Sequence, residues 1–435
     1  MLAKSDFYTF ILSKNYDIGS ITKKSILCNW RIPMSQISIL KGLNLPFMEG
    51  ADESKLFEKF SKVISIDLSP FTYLHLKLAK TVGESIEAGE VIVRDLHFQD
   101  RVLLSHVTGT ILEVIRGERR KITSILIKKG SSIKKTFRKV DMNLSKEEMI
   151  DEIFKRGASF FIHKRPIERV IDKEDFPSAI FINTVTSAPY TPSFFHILKG
   201  NEEIFASGIA LLEKFGTIDL FYNEEIFSKQ KGCRCHKVIG PHPIESPSVH
   251  ISALHPISSS KDVIWTLNVY DVLSIGSIMS KGSFFNQRVI ALAGNGFEEN
   301  DRILIKTEIG ASIEEIAPKG DYIIAGNPLT GKLHEKYLRT RDYCITSLKL
   351  NESKLGEKRP FILKDIYQKH FPFHIYIEPL IKALLAKDYG LAISLGFLEI
   401  EKEDLSLAEY ICPSKISLMA IFEEAKSAYL ELQEK

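Results

Sequence analysis

Between residues 37 and 139 the apolar residues arrive in short runs, at 63–66, 73–76, 91–93, 102–104, 111–115 and 122–127, each bounded by turn residues. Runs of that length cannot make the long amphipathic stripe a helix needs, so this part of the chain is committed to β-structure. Two glycine-containing turns punctuate it: Val82-Gly83-Glu84-Ser85-Ile86-Glu87-Ala88-Gly89 and Val107-Thr108-Gly109-Thr110.

The first turn resembles the G-x-x-V-x-x-G turn of biotinyl/lipoyl-type barrel-sandwich domains, and the second resembles their G-x-V return strand. A carrier domain of that type needs an exposed lysine at the intervening hairpin. This chain has Leu96-His97-Phe98-Gln99-Asp100 there. The expectation is therefore the fold without the carrier function.

From residue 144 to 282 helical and strand patterns alternate. A helix is predicted over 146–154, strands over 179–185, 218–222 and 263–269, and further helices over 202–215 and 270–280. Strands alternating with helices point to βαβ units and a mostly parallel sheet. The stretch 288–325 reads as a hairpin turning at Gly294-Asn295-Gly296, a helix opened by a Ser312/Glu315 capping box, and a strand at 322–325, a small unit of β-grasp type. Helical spacing returns after Pro379. The expected organisation is a multidomain α/β and α+β chain. It comprises a weakly ordered extension (1–36), a barrel-sandwich domain (37–140), a Rossmann-like domain (141–286), a β-grasp-like domain (287–347), a linker (348–375) and a helical domain (376–435).

Three motifs invite a chemical reading and fail its requirements. Gly326-Asn-Pro-Leu-Thr-Gly331-Lys332 fits a phosphate loop for seven positions, but Leu333 replaces the hydroxyl that holds Mg²⁺ and Pro328 removes a backbone donor; a hairpin turn is expected instead. Gly294-x-Gly296 follows a strand as a dinucleotide loop does, yet it leads to another strand, so no helix N-terminus meets a diphosphate. Cys233-Arg234-Cys235-His236, with His242, His250 and His255, offers thiolates and imidazoles at irregular spacing; it reads as a loop with incidental thiols and no metal. Ten cations crowd 116–139, namely Arg116, Arg119, Arg120, Lys121, Lys128, Lys129, Lys134, Lys135, Arg138 and Lys139. They read first as the solvated side of a hairpin, and second as a contact for anionic lipid or an acidic partner.

Composition excludes several classes. Against 55 acidic residues the chain has 58 basic ones, too even a balance for global nucleic-acid binding. Five cysteines, Cys28, Cys233, Cys235, Cys344 and Cys412, are too dispersed for a disulfide framework. Neither a stretch of ~20 apolar residues nor a signal-peptide pattern is present, which predicts a cytoplasmic chain.

The order of further segments is more specific. Ile39-Leu40-Lys41-Gly42-Leu43-Asn44-Leu45-Pro46 resembles the amino-terminal signature of the NqrA subunits of sodium-translocating NADH:quinone reductases. The stretches 107–117, 178–183, 240–243, 248–251, 271–276, 289–294 and 310–312 resemble later parts of that family, in its order, as do Leu395-Gly-Phe-Leu-Glu399, Glu403-Asp-Leu405 and Cys412-Pro-Ser-Lys415. The chain departs from the family in its extension Met1 to Ser35, in a shorter segment between Thr346 and Gly356, and in Ala408 where relatives tend to have cysteine.

The resemblance implies a peripheral subunit on the cytoplasmic face of a bacterial inner membrane. Its complex oxidises NADH, reduces ubiquinone to ubiquinol and exports Na⁺. It implies five partner subunits, no cofactor in this chain, and flavins and iron–sulfur centres in the partners. The implied fold is similar to the hydrophilic NADH-binding subunit of respiratory complex I without its cofactor motifs. A stand-alone nucleotide-dependent oxidoreductase and a ferredoxin-linked subunit are the alternatives. Within this reading the loop Gly240, Pro241, His242, Pro243, together with His250, is expected to face a partner or a quinone, because two prolines stiffen a loop near a sheet edge.

Overall fold

The computed structural model describes residues 36–45, 47–130, 138–257, 261–349 and 366–433. Residues 1–35 of the expected extension, 350–365 of the expected linker (348–375), and Lys134 and Lys135 of the basic run lie outside the described residues. Residues 366–375 of that linker instead start with the helix Ile366–His370 and bury Tyr367, Phe371, Phe373 and Ile375 in the core of the helical part.

The β-rich part folds as two facing sheets. One carries Val63–Asp67, Ile122–Lys129, Gly109–Arg116 and Ser85–Ile86; the other carries Leu76–Leu78, Val91–Asp95 and Val102–Leu104. Their inward side chains, including Ile64, Ile86, Ile92, Ile111, Ile125 and Ile127, are fully buried. Period-two alternation explains why Ile125 and Ile127 share a face, and a bulge between Ile111 and Glu113 resets the alternation on the partner strand. The strand Asp52–Glu58 leaves this unit and pairs in parallel with Ile303–Glu308 of a later sheet.

In the α/β part, Cys233–Ile239, Ile218–Tyr222, Ala179–Asn183 and Ile264–Asn268 lie side by side in parallel, and His163–Arg165 adds an antiparallel strand with Arg169–Val170 at the edge beyond it. The helix Lys146–Lys155 opens on a complete capping box, with the Ser145 hydroxyl accepting from Glu148 N and the Glu148 carboxylate accepting from Ser145 N. Helices Glu202–Leu212 and Val269–Gly276 touch backbone to backbone. A Cβ on Gly276 would sit 2.1 Å from Ile204 O, and one on Gly208 would sit 2.4 Å from Val272 O. Val269–Gly276 runs on into a π-helical turn, Ser277–Lys281.

The third sheet has the order Lys332–Leu333, Tyr322–Ala325, Cys344–Leu348, Gln287–Ala293, Ile303–Glu308 and Asp52–Glu58. The segment 326–331 is a hairpin turn, held by the Asn327 side-chain carbonyl accepting from Leu329 N and Thr330 N. The predicted capping box at Ser312 does not form. The helix Ile313–Ile316 is one turn long, and the Glu315 carboxylate accepts from Lys62 N instead. A tertiary donor has won over the local one.

Helices Ile377–Leu385, Tyr389–Ser394, Ser406–Ile411 and Leu418–Gln433 gather around Phe397, Phe422, Ile377 and Leu380. Ile167 and Val249 of the α/β part belong to the same core. Buried charge ties this junction: Glu401 lies 3.6 Å from Arg165 and 3.0 Å from Lys426. Among the described residues no helix is long and apolar enough to cross a membrane.

Candidate functional site

The loop singled out in the sequence is wedged between two distant segments. Ile39 N donates to Ile239 O and Leu43 N to His242 O, which lays the signature 39–45 along it. The approach leaves no room for side chains. A Cβ on Gly42 (φ 142°) would sit 2.3 Å from His242 O, and one on Gly240 (φ 151°) would sit 2.4 Å from Ile39 O. On the other side Pro243 lies against Tyr367, Phe371, Leu407 and Ala408 of the helical part.

Of the five residues expected to face a partner or quinone, Gly240 is exposed and Pro241 partly so; His242, Pro243 and His250 are buried. The two imidazoles point inward in this chain. His242 Nδ1 lies 3.0 Å from the Glu245 carboxylate, inside the loop. His250 stacks on Phe221 with ring centroids 4.1 Å apart and 8° between planes, and its Nε2 lies 2.8 Å from Ile244 O. Burial lowers its pKa to about 3, so it is a neutral core residue.

The Cys-x-Cys-His run is a strand rather than a loop, and strand alternation splits it. Cys233 and Cys235 pack against the main α/β core, whereas Arg234 and His236 turn to Asp219 on the other face. Asp219 accepts from His236 Nε2 at 2.7 Å and from Arg234 Nη2 at 2.6 Å. Burial works to raise its pKa, but these two bonds prevail and hold the carboxyl below its usual range. Burial pushes the Cys233 thiol up to about 12. No three described His, Cys, Asp or Glu side chains come together as a metal site.

A different place has the character of a binding site. Where the β-rich part, the α/β part and the third sheet meet, there is a cavity of about 70 Å³. Phe71, Phe160, Phe161, Phe284 and Phe285 line it, with His106 as its imidazole. Each phenyl ring arrives on an irregular element. Phe71 ends the 3-10 turn Ser69–Phe71, and Phe160 and Phe161 lie in the 3-10 turn Ala158–Phe161. Phe284 and Phe285 follow the π-helical turn, a distortion found disproportionately at functional sites. Phe71 meets Phe160 edge to face at 4.9 Å.

Burial holds the His106 pKa down at about 4, and the nearby Arg288 charge adds to this, so the ring is neutral. It bonds the Ile309 backbone, while Nε2 is buried with no partner among the described residues. Ser65, Asp67, Ser274, Asn286 and Thr340 line the cavity as well, so its wall is mixed, and at about 70 Å³ it is about half the ~150 Å³ that holds a benzene ring. No motif in the sequence marks this cavity. The available signals are the doublets Phe160-Phe161 and Phe284-Phe285 and the histidine just before the Val107 turn.

Comparison with known families supplies the remaining observation. Residues 37–130 match the NqrA N-terminal barrel-sandwich hybrid domain, and residues 144–284 match the NqrA second alpha/beta domain. The chain is 31% identical over 455 aligned residues to the NqrA subunit of the Na(+)-translocating NADH-quinone reductase of Chlamydia caviae, covering 91% of this chain and 97% of the relative. The corresponding protein of Chlamydia pneumoniae is 31% identical with the same coverage. That of Pseudomonas aeruginosa is 27% identical, over 87% of this chain and 96% of its own length.

Proposed function

This chain belongs to the NqrA family of Na(+)-translocating NADH-quinone reductase subunits, and from that premise we propose that it works as a peripheral subunit of such a complex. The observation that carries the reading is likeness over nearly the full length of both chains. In this reading the complex passes electrons from NADH to ubiquinone and exports Na⁺, and the chain sits on the cytoplasmic face of a bacterial inner membrane. The flavins and iron–sulfur centres reside in five partner subunits, and this chain contributes no redox group. The Rossmann-like and β-grasp descriptions, and the kinship with the hydrophilic NADH-binding subunit of complex I, belong to the same proposal.

Affinity purification from native membranes tests it. Recovery of the partner subunits with NADH-driven quinone reduction is the expected result; a chain recovered alone, from the soluble fraction only, refutes it.

The aromatic cavity is the place in this chain best suited to a quinone-type ring. In this reading the phenyl rings move apart to admit the ring, since even benzene takes ~150 Å³ against the cavity's about 70 Å³, and His106 Nε2, without a partner among the described residues, is the acceptor it meets. The exposed backbone at Gly240 and Pro241 forms the part of the loop open to a partner. Replacing His106 by leucine separates the two roles: assembly persists while quinone affinity falls.

A further inference from the structure

The hairpin between Gly109–Arg116 and Ile122–Lys129 closes through Glu118-Arg119-Arg120-Lys121. Gly117 N donates to Lys121 O at 2.9 Å, and Lys121 N donates to Glu118 O at 3.1 Å. The two central residues both have positive φ, 52° at Arg119 and 58° at Arg120. That is the geometry of a type I′ turn, whose central pair is ordinarily Asn-Gly because a Cβ is strained there. Two consecutive arginines in such a turn oppose the local preference of the backbone. Strain of this kind persists where the side chains have a use.

The surroundings indicate the use. Arg116, Arg119 and Arg120 are all exposed. Arg116 Nη1 donates to Arg120 O, which holds the guanidiniums at one end of the hairpin. Arg119 lies 3.0 Å from Glu431 in a pair open to water, and Glu113 and Glu118 are the other acids close by in the chain. Leu112 and Ile115 on the same hairpin are 43% and 39% exposed, and Leu432, next to Glu431, is 62% exposed. Guanidinium forks match phosphate oxygens, and apolar side chains set among them gain from a headgroup layer what water does not offer.

We propose that this hairpin end, through Arg116, Arg119, Arg120 and the neighbouring Ile115, rests on an anionic phospholipid surface. It stands apart from the quinone reading, since it concerns the opposite end of the hairpin from Gly109 and uses none of the cavity residues.

The test is sedimentation of the full chain with vesicles of phosphatidylcholine, alone or mixed with phosphatidylglycerol. The wild-type chain binds the mixed vesicles, and binding falls as salt is added. The double variant Arg119→Asn, Arg120→Gly installs the pair the turn prefers. It melts at a higher temperature and yet partitions about 30-fold less onto the mixed vesicles, from about fivefold per arginine. Arg119→Glu with Arg120→Glu abolishes binding. A double Asn-Gly variant that binds like the wild type, or a wild-type chain indifferent to phosphatidylglycerol, overturns the proposal. So does a wild-type chain that ignores both vesicles while the arginine variants lose an acidic protein from the purified complex.

Discussion

His250 is buried and His106 partly so, both rings are neutral, and each keeps one ring nitrogen buried without a partner among the described residues. Their surroundings differ. His250 is clamped flat against Phe221, with its other nitrogen on Ile244 O. His106 faces a phenyl-lined void. Burial and a depressed pKa are therefore common to a structural imidazole and a binding one, and only the adjoining space separates them.

The largest expected effect breaks the comparison at its structural side. His250→Ala removes a stacked ring and a buried hydrogen bond, and destabilises the chain by about 3 kcal/mol in denaturant unfolding. Loss below ~1 kcal/mol would show that the stack bears little weight. On the other side, His106→Leu keeps the bulk at the cavity wall and deletes a nitrogen that has no partner among the described residues. Its unfolding free energy stays within ~1 kcal/mol of the parent, while affinity for a hydroquinone falls about tenfold, measured by calorimetry. Equal affinity in parent and variant would remove His106 from the site.

Acid sharpens the contrast. With a folded pKa of about 4 for His106 and about 3 for His250, against 6.5 for a free imidazole, the unfolded chain binds more protons throughout that interval. The two neutral rings thus contribute stability that is present above pH 6.5 and lost as pH falls toward 4. His106→Leu unfolds with a shallower pH dependence in this window than the parent does. Buffered melts across it provide the measurement. The smallest effect is a control remote from both rings: Ser145→Ala opens the capping box of Lys146–Lys155 and costs about 1 kcal/mol. A larger loss there would mean that the helix start also serves the packing around it.

The elements legible in sequence were those whose preference is local. The apolar runs of 111–115 and 122–127 became paired strands, the 326–331 glycine segment became a turn, and the 146–154 pattern became a capped helix. Local signals misled where a distant group competed. The Glu315 carboxylate went to Lys62 N, Asp52–Glu58 joined another sheet, His242 turned inward where the segment 39–45 and the helical part flank its loop, and His250 packed on Phe221.

By itself, then, the sequence determined the alternation of strand and helix, the turns, the broken nucleotide loops and the family. These depend on residues near one another in the chain, or on collinear order. Tertiary structure decided which histidine lies beside empty space. Phe71, His106, Phe160 and Phe285 are brought together from separate parts of the chain, and a cavity exists only where their packing stops short.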